Sequence, residues 1–480
     1  MEPNRIATLD GPTLALDDTG LAALEASMRG PLLTPRSAGY DEARRIWNGM
    51  IDRRPAVIAR CLGTADVMAC VRFAAAHRLL TAVRGGGHNI AGSAMCDGGL
   101  VIDLSLMRSV QVDPEARTAR VEPGALLSDL DREAQAHGLA VPLGINSTTG
   151  VAGLTLGGGF GWLSRSLGMT VDSLTGAEMV TADGRRLRVD ADRHAELLWG
   201  LRGGGANLGV VTAFDFALHP VGPQVFAGLI VHPLSQAADL LRRYRHLAAA
   251  APDALTVWVV MRSAPPLPFL PPEAHGTPVL VFALCHSGTV EQAERDVAPL
   301  LALGAPVGVH VGAMPFAAWQ AAFDPLLTPG ARNYWKSHNF TALDDGLIDL
   351  LVDNAMRLPS PQSEIFIAQL GGAASRPAPD ATAYPHRDAA YVMNVHTRWT
   401  DPADDAGCIA WARAFSDATA PFATGGVYVN FIPGDEDRVA GAYGANYDRL
   451  AALKATWDPT NLFRQNQNVP PATRPSLKTA

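Results

Sequence analysis

The stretch Arg84-Gly85-Gly86-Gly87-His88-Asn89 sets one imidazole at the end of three consecutive glycines. Each glycine costs conformational entropy on folding, so a run of three is useful where backbone must take positive φ or approach another group closely. A ring nitrogen on such a loop is a nucleophile placed against a flat cofactor; the competing interpretation is a glycine-rich turn with an incidental surface histidine. A second glycine stretch runs from Gly144 to Trp162 (GINSTTGVAGLTLGGGFGW), and a third is Gly203-Gly-Gly-Ala-Asn-Leu-Gly209. Several such loops in one chain point to one large bound ligand. Near the C-terminus, period-two alternation in Val427-Tyr-Val-Asn-Phe431 puts Tyr428 and Asn430 on one face of a strand. A free tyrosine has a pKa of about 10, so it acts as a base only beside a cation or a hydrogen-bond donor. His396 and Arg398, on one face of the run Tyr391 to Trp399, are candidates for that neighbour, and a core tyrosine with its hydroxyl satisfied is the alternative. In Glu364 to Leu370, Gln369 shares a face with Ile365 and Ile367. A polar side chain there either bonds within the core or lines a pocket.

Other chemistries lack their residues. Lysine occurs only at Lys336, Lys454 and Lys478, and no Gly-Lys pair precedes Ser or Thr, so there is no Walker loop. Cysteines 61, 70, 96, 285 and 408 form no CxxC, the histidines show no metal spacing, and HExxH is missing, so no metal is expected. Gly-x-Ser-x-Gly is absent. The glycines of 157–161 and 205–209 approach a dinucleotide fingerprint without its strand, helix and acidic residue in order. A net charge of −8 argues against nucleic acid. No eighteen-residue apolar run occurs, and the first residues lack a basic segment followed by an apolar one, so the expectation is a cytoplasmic protein without a membrane partner.

The elements that must carry these residues can be read from periodicity. With 480 residues, 48% of them hydrophobic, the chain splits into two or so domains. Residues 1–40 read as a poorly determined leader with one short helical pattern from Leu21 to Met28. From Pro55 a β-α-β order emerges: Pro55 to Arg60, a helix over Ala65 to His77, then Leu79 to Arg84 feeding the first glycine loop. Short strands follow at Leu100–Leu104, Ser109–Asp113 and Ala119–Glu122, and a helix from Leu126 to His137 is ended by Gly138. Asp183-Gly184 signals a two-residue hairpin. After Gly222 the glycine clusters stop. Extended runs at 255–261, 278–285, 307–311, 364–370, 391–399 and 426–431 alternate with helical patterns near 237–250, 290–303, 343–356 and 407–420. This order predicts an α+β domain with one antiparallel sheet. The expected division is a leader (1–40), a first domain (41–222), a second (223–440) and a C-terminal segment (441–480) returning to the first. The tryptophans 162, 199, 258, 319, 335, 399 and 411 are expected to pack rather than to stack on a ligand.

Five stretches in order, RGGGHN at 84–89, VIDLS at 101–105, NSTTGVAGLTLGGGFGWL at 146–163, LLWGLRGGGANLGVVT at 197–212 and DPTNLFRQNQN at 458–468, resemble the berberine-bridge-enzyme-like FAD-linked oxidases of the vanillyl-alcohol-oxidase and p-cresol-methylhydroxylase superfamily. The resemblance spans roughly residues 40 to 475. It implies an FAD-binding domain of that type with an inserted substrate domain. It also implies FAD bonded covalently through the His88 imidazole, with Gly85, Gly86, Gly87, Gly92 and Ser93 offering backbone N–H groups to the pyrophosphate. Thr148, Thr149, Gly150 and Gly153 would lie along the flavin. Arg84, Asn89, Gly158, Gly161 and Val211 also fall at cofactor positions, and Asn466 and Gln467 belong to a closing motif that returns to the flavin. Asn146 stands where many members carry a second, cysteinyl link, so one attachment is expected. Tyr428 would help remove the substrate proton, Asn430 would face the flavin, and Gln369 would line the substrate pocket. Thr149 matches a position linked to dioxygen access, and its small size favours an oxidase. The implied reaction takes hydride from a C–H next to oxygen or nitrogen of a sugar, alcohol, alkaloid or polycyclic natural product and reduces dioxygen to hydrogen peroxide. The alternatives are a flavin dehydrogenase with another acceptor and a flavoprotein that sequesters a toxic metabolite. The sequence sets no oligomeric state.

Overall fold

The structure is a computed structural model that describes residues 4–16 and 18–473. The helix Thr64–Ala76 carries Val67, Cys70, Val71 and Ala74 on one buried stripe, the spacing of a helix with a single apolar face. That stripe covers a small sheet in which Val57–Arg60 and Thr81–Arg84 both pair in parallel with Leu100–Asp103 between them. Thr81–Arg84 ends directly on the first glycine loop. A five-stranded antiparallel sheet packs beside it, built from Arg186–Asp190, Leu174–Val180, Val210–Ala217, Thr118–Val121 and Val110–Asp113 in that order. The helix Leu127–Gln135 closes at Gly138, whose φ of 65° a side chain would strain.

From residue 224 the chain builds a seven-stranded antiparallel sheet, among the described residues the largest. The helices Ala237–Ala250, Val290–Leu301, Asp345–Ala355 and Asp405–Thr419 contribute to the core on one face of it. Every residue of its strand Tyr391–Trp399 is buried. Tyr391, Met393, Val395 and Trp399 meet the helices, while Asn394 and His396 point to the opposite face, which looks onto the glycine loops. The C-terminal helix Tyr447–Trp457 packs on Ala195–Leu201, and a buried ion pair, Lys454 to Asp458 at 2.8 Å, fixes the turn after it. Lys454 also donates to the Asn207 and Phe463 carbonyls, which ties the segment to the third glycine loop.

Several expectations need correction. The stretch expected as a poorly determined leader is ordered over its described residues: Asn4–Ala7 and Thr13–Leu16 form a hairpin, Ala7 bonds Gly98 and Leu80, and Leu21 and Leu24 enter the core of the parallel sheet. Two strands of the seven-stranded sheet went unread, Gln224–Pro233 and Arg332–Phe340, because residues buried on both faces lose the alternation that marks a strand. The turn at Asp183-Gly184 has three loop residues, since Thr181 N–H reaches the Arg185 carbonyl and Gly184 N–H the Thr181 carbonyl. Val427–Phe431 is not a strand. Phe431 N–H turns back onto the Tyr428 carbonyl in a 3-10 turn, Val429–Phe431, although Val427 and Val429 still face one core and Tyr428 another.

Candidate active site

The glycine loops meet at one cavity of about 310 Å³, bordered by Gly85, Gly86, Gly87, His88, Asn89, Ser93, Asn146, Thr149, Gly150, Gly153, Asn466 and Gln467. The approach of the loops requires glycine. A Cβ on Gly86 would stand 2.5 Å from the Gly150 Cα, and one on Gly150 would stand 2.6 Å from the Gly86 nitrogen. Gly153 differs, since a Cβ there would meet nothing within 4 Å among the described residues and would open onto the cavity.

His88 is half-buried at the cavity edge and stacks on Trp47, ring centroids 4.4 Å apart at 22°. Its Nε2 is shut from solvent and has no hydrogen-bond partner among the described residues. Burial pulls its pKa from the ordinary 6.5 to about 3, so the ring is neutral and carries a free nitrogen lone pair. That is the state a nucleophilic attachment needs. Asn146 borders the cavity, but its Oδ1 accepts from Thr148 N–H at 3.0 Å and the Thr148 hydroxyl at 2.7 Å, a local loop cap. Asp324 holds the same loop through Ser147 N–H at 2.9 Å. The C-terminal segment is pinned by Asn466 donating to the Ala206 carbonyl at 2.9 Å and Gln467 to Ile432 at 3.1 Å.

Across the cavity, the Tyr428 oxygen accepts from Gly159 N–H and from Asn430 Nδ2, each at 3.1 Å. The other Asn430 amide hydrogen reaches the Gly153 carbonyl at 3.2 Å, so Asn430 joins the tyrosine to the glycine loop. Burial pushes the Tyr428 phenol up to about 12, against the two donors, which favour the phenolate. Beyond it lies the sheet face. Trp258 and Phe366 stack 5.7 Å apart at 2°, and Phe160, Phe431 and Trp335 complete an aromatic wall. Glu364 sits in that wall, bonded to Arg262 at 2.6 Å and to His396 at 3.2 Å. Burial opposes its ionisation, but Arg262 and His396 hold the carboxyl near 2.

Some expected site residues lie elsewhere. Gln369 points to the helix side, where it accepts from Val257 N–H at 2.9 Å and donates to the Ala248 carbonyl at 3.0 Å, so of the two roles its position left open it fills the core one. Arg84 turns to the Ala43 carbonyl and Asp103. Gly92 packs on Ile51, and Thr148 is spent on Asn146. Gly158 lies against Tyr384, and Gly161 meets the Leu143 carbonyl where a Cβ would come within 1.8 Å. Val211 is buried in the five-stranded sheet. Arg398 stacks over Trp47, whereas His396 reaches the wall. Trp162, Trp258 and Trp335, expected as packing, border the cavity. Trp47, Arg262, Glu364 and Asn394 were missed; the alternation of Glu364–Gln369 and Tyr391–Trp399 held the signal, without saying which face was the cavity.

The buried, unpartnered His88 nitrogen and the glycine cradle fit FAD. A family model described as "FAD binding domain" matches residues 55–190, and one described as "Berberine and berberine like" matches residues 427–470. The chain is 31% identical to the uncharacterized FAD-linked oxidoreductase YgaK of Bacillus subtilis over 94% of this chain and 99% of that one. It is 30% identical to (R)-6-hydroxynicotine oxidase of Paenarthrobacter nicotinovorans, over 94% and 98%. The crystal structure of a 6-hydroxy-D-nicotine oxidase from Arthrobacter nicotinovorans superposes with a TM-score of 0.84 at 30% identity, covering 93% of this chain and 99% of that one.

Proposed function

The chain belongs to the berberine-bridge-enzyme-like FAD-linked oxidoreductases, and from that premise we propose that it is an oxidase of small organic molecules with its FAD attached once, through His88. When bound, FAD supplies the acceptor for a hydride from a C–H next to oxygen or nitrogen, and dioxygen becomes hydrogen peroxide in restoring it. His88 Nε2 anchors the cofactor. The cradle of Gly85–Gly87, Gly150 and Gly153 lets backbone N–H groups approach it, with Ser93, Asn466 and Gln467 alongside. Asn146, turned into its loop, offers no second anchor.

Tyr428 takes the proton from the substrate heteroatom. It does so as the phenolate, the form that the two N–H donors on its oxygen favour against burial and that becomes the phenol on taking the proton, and Asn430 keeps it in register with the glycine loop. The aromatic wall excludes water from the substrate side. The small Thr149 side chain at the cavity favours dioxygen as the acceptor. The observation that carries this reading is the buried, unpartnered Nε2 of His88 at the mouth of the cradle.

The test is acid precipitation of the purified protein. A yellow pellet from wild type and a yellow supernatant from His88→Ala are expected, with hydrogen peroxide released when a substrate bleaches the flavin. A wild type that sheds its colour into acid refutes the attachment, and bleaching without peroxide refutes the oxidase.

A further inference from the structure

Facing residues on neighbouring strands of the seven-stranded sheet form transverse rows on the cavity side. One row runs Trp335, His396, Glu364, Arg262 across four strands. The next runs Ser337, Asn394, Phe366, Val260. In the first row the carboxylate is taken: Glu364 already holds Arg262 and His396. It is not a lone counter-charge waiting for a cationic substrate.

The second row is different. Asn394 is 0% exposed and lines the cavity, yet neither Nδ2 nor Oδ1 has a hydrogen-bond partner among the described residues. Its cross-strand neighbour Ser337 has a buried hydroxyl in the same condition, and so does the Trp335 indole N–H one row away. A buried amide with both ends unmade bears the desolvation cost of each, so such groups are retained where something completes them. Beside Asn394 the parallel Phe366 and Trp258 rings form a flat apolar wall.

We propose that the substrate is a neutral, flat ring presenting a hydrogen-bond donor and acceptor on adjacent atoms, the edge of a cyclic amide, and that Asn394 is the residue that recognises it. The Asn394 Nδ2 hydrogens donate to the ring carbonyl while Oδ1 accepts from the ring N–H, a two-point match that a planar amide offers and an alcohol does not. Phe366 and Trp258 receive the apolar part of the ring. A pyranose projects its hydroxyls out of one plane and matches this edge less well. The inference rests on the assignment of the aromatic side of the cavity to substrate.

The test uses the holoprotein and three probes, 2-pyridone, N-methyl-2-pyridone and glucose, with binding followed by the flavin difference spectrum and by calorimetry. Wild type binds 2-pyridone about tenfold more tightly than its N-methyl analogue, which lacks the donor. Asn394→Leu, similar in size, abolishes that preference while keeping its flavin. The comparison on wild type needs no variant. Equal binding of the two pyridones, tighter binding of glucose, or an Asn394→Leu protein that keeps the preference overturns the inference and leaves the oxidase reading standing. A colourless wild type overturns both.

Discussion

Gly86→Ala and Gly153→Ala separate two reasons for a glycine in one site. A Cβ at Gly86 would lie 2.5 Å from Gly150 Cα and 2.7 Å from its nitrogen, backbone against backbone. Carbon atoms rest at about 3.5–4.0 Å, so the two loops must part by roughly 1 Å. Overpacking of that kind costs about 1–3 kcal/mol, and the flavin-free protein bears it because the clash is between protein atoms. At Gly153, in the helix Val151–Leu156, an added Cβ meets no described protein atom. Alanine in a helix is favoured over glycine by about 1 kcal/mol, so the flavin-free Gly153→Ala protein is as stable as wild type or more so. Its methyl nevertheless enters the cofactor cavity, and flavin retention falls. Denaturant unfolding of flavin-free samples, paired with visible flavin absorbance after desalting, reads both effects. Gly86→Ala unfolding at the wild-type midpoint, or Gly153→Ala retaining a full complement of flavin, refutes the reasoning.

Tyr428→Phe keeps the ring and its packing but removes the oxygen held by Gly159 and Asn430; kcat is expected to fall about a hundredfold to ten-thousandfold with flavin content unchanged, measured by steady-state oxidation. Lys454→Met leaves Asp458 buried without its cation, which costs about 3–5 kcal/mol and frees the segment carrying Asn466 and Gln467; a lower unfolding midpoint together with flavin loss checks it. His88, pulled by burial to about 3 from 6.5, makes the flavin-free protein acid-sensitive. The unfolded chain binds that proton first as pH falls below 6.5, so stability is lost between pH 6.5 and 3 by at most about 1.4 kcal/mol per pH unit, and His88→Gln flattens that part of the profile in a pH series of unfolding curves.

The glycine loops, their histidine and the closing motif were legible in the chain because their signals are local. Three glycines in a row and a strand feeding them can be read without knowing what lies opposite. The helix stripe Val67, Cys70, Val71, Ala74 and the covering helices of the second sheet were legible for the same reason: one apolar face against one polar face leaves a period. The strands Gln224–Pro233 and Arg332–Phe340 left none, since both faces are buried. Tyr428 and Asn430 were found as a pair although the strand expected to carry them is a turn; what joins them is the bond between their side chains, not a shared pleat.

By itself the sequence determined that glycine-rich backbone surrounds one imidazole and that an antiparallel sheet follows it. Only the tertiary structure decided which face of that sheet meets the cavity. In Glu364–Gln369 parity alone separates Gln369, bonded among the helices, from Glu364 and Phe366 on the cavity wall. Side chains in a strand alternate whatever lies on either side, so the choice belongs to the layers packed against the sheet, and those come from residues far away in the chain.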